Sequence, residues 1–279
     1  MPSLSQPSMP YHPVHPISYG RDLRRLFVWF GLVLTLIFVD QLIDLLAGES
    51  INQLRLRIAY LLPILGVGLS LCVHQLARKE SPIPRSWIRR GGMCFILGGA
   101  LFDLFATLYH NPSLTLEGNP YIRVLLDSGH SLAVVYSLAV ATQVAFLAVF
   151  LSVWLAFLRH LPRLLATIEN ANPTSRLQFL KAATGGGQLS VRQWLLPLNL
   201  AELPELYHCF WTIAVPVVFG STLFRWYVGL EWFDVFQPSL ILRGCVIFLS
   251  MLLAQTVYFV VLWNLSQRRE TALRPPAVS

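Results

Sequence analysis

Six stretches of this chain run close to twenty residues with almost no charge, and that length limits what they can become. A helix rises about 1.5 Å per residue, so about 20 apolar residues match the roughly 30 Å hydrocarbon core of a bilayer. The runs are Leu26 to Leu46, Ile58 to Leu76, Gly91 to Leu108, Ser131 to Phe157, Cys209 to Trp226 and Leu240 to Trp263. The fourth is long enough that it must tilt or protrude. A soluble protein with an oversized core does not fit, because such a chain carries about 25% charged residues. This one carries 13%, with 55% hydrophobic residues and a mean hydropathy of +0.58 over 279 positions. The expected fold class is therefore all-α: a polytopic transmembrane bundle of about six helices over residues 21–268, between a tail over 1–20 and another over 269–279.

The basic residues set an orientation. Sixteen fall on one side: Arg21, Arg24 and Arg25; Arg78, Lys79, Arg85, Arg89 and Arg90; Arg159, Arg163, Arg176, Lys181 and Arg192; Arg268, Arg269 and Arg274. Three fall on the other, Arg55, Arg57 and Arg123. Cytoplasmic loops carry the excess of Lys and Arg, so both termini are expected in the cytoplasm of a multi-pass protein of the plasma membrane, the inner membrane in a bacterium. The basic loops would attract anionic lipids of the inner leaflet. The net charge of +7 sits in loops rather than on a folded polar face, which argues against nucleic acid. Arg225 and Arg243 are expected at the outer ends of the fifth and sixth runs, either snorkelling to the interface or pairing with carboxylates. Trp87, Trp226, Trp232 and Trp263 are placed in interfacial belts.

Between the runs little suggests a soluble domain. The Pro-rich tail over 1–20 reads as disordered and lacks the apolar core of a signal peptide. The loop over 159–207 begins with RHLPRLLATIEN, an extension of the fourth helix. It passes the hinge TGGGQ and ends in an amphipathic piece lying on the membrane surface. The cysteines Cys72, Cys94, Cys209 and Cys245 read as small buried hydrophobes, without the paired spacing of a metal or redox site. No phosphate-binding loop, dinucleotide fingerprint, nucleophile elbow or HExxH occurs, which excludes the common nucleotide-driven pumps and hydrolases.

The chemistry gathers between Leu101 and His130. A charge at the bilayer centre costs about 2.5 to 3.5 kcal/mol on insertion scales, so a surviving one faces protein or water. Asp40 and Asp44 share a helix face at i, i+4, and Asp103 lies at a similar depth in the same leaflet. Gly92, Gly99, Asp103, Ala106 and His110 share a face whose small residues permit close helix approach. Glu117 has no local structural explanation. Asp103, Glu117 and His130 are the catalytic candidates, and Asp103, His110 and Glu117 the candidate ligands of a divalent cation. Asp40, Asp44, Asn119, Arg123, Arg225 and Arg243 are candidates for binding a substrate or ion. Asp127 and Ser128 are expected to favour and cap the start of the fourth helix. Gln143 and Gln255 read as bonds between helices. Pro63, Gly66 and Gly68 suggest a kink or tight packing.

The pattern D-x3-T, then E-x-N-P and a basic residue (Asp103, Thr107, Glu117, Asn119, Pro120 and Arg123) resembles a motif in small prokaryotic polytopic membrane proteins. The resemblance covers 20 to 30 residues and implies that these residues act as a unit, with no activity to transfer. Three function classes remain. The chain can be an accessory or assembly protein with a membrane-protein partner, which needs least from the sequence. It can be a transporter or channel, or an enzyme acting on a lipid-type substrate through the outer carboxylate and histidine cluster.

Overall fold

The computed structural model describes residues 24–26, 28–29, 31–33, 35–36, 39, 42, 51–77, 87–114, 119–184, 203–233 and 240–273. They form seven helices: α1 (Ile51–Ala77), α2 (Trp87–His110), α3 (Pro120–Asp127), α4 (Leu132–Asn170), α5 (Arg176–Ala183), α6 (Leu203–Trp232) and α7 (Leu240–Leu273). The described residues between 24 and 42 are helical as well. Five helices are long and apolar enough to cross a membrane, over Arg55–Leu76, Trp87–His110, Leu132–Asn170, Phe210–Trp232 and Leu242–Gln267. These are the second to sixth apolar runs. Much of the first run, with Asp40 and Asp44, lies outside the described residues.

Side-chain contacts fix the directions. Gly66 of α1 faces Ala145 of α4, and farther along both helices the Ser70 and Ser152 hydroxyls meet at 2.8 Å, so α1 and α4 run parallel. Phe95 stacks on Phe219, Gly99 faces Thr222 and Phe102 reaches Gly229, so α2 and α6 also run parallel. Phe219 against Trp154 and His208 against His160 make α6, and with it α2, antiparallel to α4, and Gly220 against Met251 with Glu231 against Arg243 makes α6 antiparallel to α7. Direction thus alternates along the chain, as it does when successive helices cross one membrane. The His110 end gathers the start of α1, α3, the start of α4 and the end of α6. The Trp87 end gathers the start of α2, the end of α4 and α5.

Small residues make the seams. A Cβ on Gly66 would stand 2.8 Å from the Ala145 Cβ, so the glycine pattern of α1 serves tight packing against α4. On α2, Gly92, Gly99 and Ala106 are buried, as expected of its contact face. Without a hydrophobic drive between helices in lipid, such backbone approach and interhelical hydrogen bonds hold the bundle. Ser70 adds the latter, donating to the Ala148 carbonyl at 3.3 Å besides meeting Ser152. The main core joins Leu26, Val73, Leu76, Ile96, Trp154, Phe157, Leu164 and Trp211 across the Trp87 half of the bundle.

Several sequence-based expectations are corrected. The five long helices all outrun their apolar runs, because the hydropathy signal ends before the hydrogen-bonded backbone does; only the extension of α4, to Asn170, was expected. Residues 120–127, expected as loop, form α3: Asn119 Oδ1 accepts from the Tyr121 N–H at 3.0 Å and Pro120 fills the first turn. Ser128 therefore ends α3 instead of capping α4, its hydroxyl donating to the Val124 carbonyl at 2.6 Å. Asp127 sits at a helix C-terminus, where the macrodipole disfavours a carboxylate. Gly129 at φ +75° turns the chain from α3 toward α4, a left-handed conformation that glycine adopts without penalty. Cys94 and Cys245 are exposed on their helices rather than buried. Trp226 lies in the α2–α6 seam against Gly98, Gly99 and Phe102, not in an interfacial belt.

Candidate functional site

Arg225 was expected at a membrane surface, but α6 continues seven residues beyond it to Trp232. At 1.5 Å per residue it lies about 10 Å inside the helix end. Asp103 stands the same distance inside the His110 end of α2. The Arg225 guanidinium lies within electrostatic range of the Asp103 carboxylate, and its carbon sits 5.6 Å from the centre of the Phe150 ring on α4. One cation thus engages an anion and an aromatic face on two other helices. Nearer the helix ends, Arg243 of α7 makes an ion pair with Glu231 of α6. Arg243 contacts a carboxylate and Arg225 lies within electrostatic range of one, and both pairs join helices.

The other candidates separate. His130 Nδ1 donates to the Leu125 carbonyl at 3.2 Å, and its Nε2 lies 2.5 Å from the Tyr60 hydroxyl of α1. With the proton on Nδ1, Nε2 accepts from the tyrosine, and the ring pins α1 to the α3–α4 turn. His110 is exposed, edge-on to Phe233 with ring centres 4.6 Å apart. Asn119 caps α3, and Arg123 lies on the exposed face of that helix. Asp40, Asp44 and Glu117 lie outside the described residues. Among the described residues no three His, Cys, Asp or Glu side chains form a group able to hold a metal ion. Gln143 lines a small cavity of about 40 Å³ with Asn119 and Thr142, between α1, α3 and α4.

Two features escaped the sequence. The first is a buried histidine pair at the Trp87 end. His160 of α4 is fully buried, and its Nε2 lies 3.0 Å from Nδ1 of His208 on α6. One imidazole donates and the other accepts, so the two are not both protonated. Burial, then the neighbouring His160 and then the Arg163 charge, push His208 from 6.5 down to about 3. No spacing flags this pair, since 48 residues separate its members. The only sequence cue is His208 lying three residues before Trp211, whose ring stacks near His160 at 6.0 Å.

The second is a cavity of about 680 Å³ in the Trp87 half, walled by α2, α4, α6 and α7. Its lining is aromatic and aliphatic, with Phe95, Trp154, Phe157 and Phe219 among the walls. Tyr258 and Asn264 bring the few polar atoms, and no Asp, Glu, His, Lys or Arg lines it. Cavities of this size hold small ligands, and these walls suit an apolar one. The cavity and the Asp103–Arg225 pair occupy opposite halves of the bundle. Compared with family models, curated proteins and solved structures, the chain matches none of them.

Proposed function

We propose that the chain crosses the cell membrane six times with both termini in the cytoplasm, in the inner membrane of a bacterial source, and that it serves as an accessory or assembly protein for other membrane proteins. Residues 26–46 supply the sixth crossing; their described part is helical and buries Leu26 in the core. The sixteen-to-three distribution of basic residues supports an external His110 end.

One observation carries the accessory reading: Asp103 and Arg225, the charges expected to serve a substrate, lie within electrostatic range of each other on two helices. Intramembrane charges mark transport paths when they face a cavity. Here the large cavity has no ionisable lining apart from the Tyr258 phenol. The enzyme reading draws on that cavity, whose walls suit a lipid-type substrate, yet Asp103, His110 and His130 lie toward the other end. The D-x3-T resemblance is compatible with any of these roles and assigns no reaction.

Purification in mild detergent tests the proposal. A partner should co-purify in fixed stoichiometry, and a lone 31.5 kDa species that retains the cellular function would overturn it. A reporter fused after Ser279 should be cytoplasmic; an external reporter would sink the topology.

A further inference from the structure

We propose that the cavity at the Trp87 end holds one acyl chain of an anionic membrane phospholipid, with the headgroup phosphate against Arg90. Dimension comes first. Along α7 the lining runs from Leu253 to Leu265, about 18 Å at 1.5 Å per residue. Half of a roughly 30 Å hydrocarbon core is about 15 Å, so the groove spans one leaflet. Its 680 Å³ holds roughly 20 small groups at about 30 Å³ each, the volume a water takes in the liquid. That is the size of one long chain.

Access is lateral. α2 and α7 each pack on α6 rather than against one another, which leaves a slot between them. Val257 and Val261 line the cavity and are about half exposed, so the cavity is open at α7. A chain from the surrounding leaflet enters there without crossing a polar rim.

Charge selects the headgroup. The groove begins at Trp87, in the first turn of α2, and Arg90 is exposed in that same turn. Arg159, Arg163, Arg176 and Lys181 lie at this end of α4 and α5, and Arg268 and Arg269 at this end of α7, so the basic residues outnumber the carboxylates on the same helix ends, Glu169, Glu205 and Glu270. Trp87, 82% exposed, has the amphipathic ring suited to headgroup depth. An uncharged apolar metabolite would fit the walls but gain nothing from this field.

Gly91 supplies a clean variant. It lines the groove, and a Cβ there meets nothing within 4 Å, so the side chain of Gly91→Phe starts out into open space. The full chain is equilibrated with vesicles of equal phosphatidylglycerol and phosphatidylcholine, purified and examined by native mass spectrometry. The parent should retain one phospholipid, phosphatidylglycerol in preference. Gly91→Phe should lose it at unchanged thermal stability. Arg90→Gln should keep a lipid with the preference cut about fivefold, the factor one cation gives near a charged lipid surface. Retention by Gly91→Phe equal to the parent, or no headgroup preference in the parent, would overturn the proposal. So would a photo-crosslinker at Val257 that labels residues 185–200 or another protein in place of lipid.

Discussion

Arg225 of α6 lies within electrostatic range of Asp103 of α2, at matching depth, across a seam where the two helices run in the same direction. Each group would lose the field of the other if its counterpart were neutralised. Asp103→Asn or Arg225→Gln should therefore destabilise by about 1 to 3 kcal/mol, less than breaking a fully buried pair from one side, because both side chains are half-buried. The double variant should recover most of that loss, because no charge is left behind. Thermal unfolding of the purified protein, arranged as a double-mutant cycle, reads the coupling. Additive losses would mean that the two charges do not act together.

Gly66→Ala should destabilise by about 1 to 3 kcal/mol, the range for overpacking a tight contact. Its Cβ would meet Ala145 at 2.8 Å, and the Ala145 carbonyl carbon at 3.3 Å, where neither backbone can yield cheaply. Ala145→Gly in the same chain should restore much of the stability. Gly91→Ala is the control, since its Cβ meets nothing and alanine favours the helix. A Gly66→Ala variant as stable as the parent would show that α1 and α4 are less closely apposed.

The helices were legible because a bilayer sets a length that few other environments require. The contact face of α2 was legible too, since Gly92, Gly99 and Ala106 recur at helical spacing and all three are buried. Depth near helix ends was not. The stretch after Arg225, WYVGLEW, contains Glu231 and bulky aromatics, so hydropathy drops while the helix goes on. Asp127 was misread because α3 has only eight residues, and its last turn resembles the start of α4. Neighbour relations were hidden altogether. Nothing local tells that Arg225 would reach Asp103 and Phe150, or that His208 would meet His160, because those pairings depend on how separate helices rotate against one another.

Acid should loosen the Trp87 end. The His208 imidazole has a folded pKa of about 3, against 6.5 for an unburied histidine. Between these values the unfolded chain binds the proton and the folded one does not, so stability is full above about pH 6.5 and falls as pH drops toward 3. The slope in that window approaches about 1.36 kcal/mol per pH unit from this group. His208→Asn should flatten that part of the pH profile of thermal unfolding. An unchanged profile would place the acid sensitivity elsewhere.

Tyr60→Phe removes the hydroxyl that meets His130 Nε2 and leaves the ring contact, whose centres are 6.0 Å apart. The expected cost is about 1 kcal/mol, the net worth of one hydrogen bond. His130 should then exchange its ring proton faster, as read by NMR of labelled histidine. A His130 signal identical in the two proteins would separate the residues in solution.

The parallel pairing of α1 with α4 also imposes an order of events during synthesis. Ser70 and Ser152 are 82 residues apart, and α2 and α3 are made between them. At about 5 to 20 residues per second, α1 waits roughly 4 to 16 seconds in the membrane before its partner emerges. Throughout that interval its glycine-and-serine face is open to lipid or to whatever helix is nearby. A ribosome stalled within α4 would release a chain with that face uncovered.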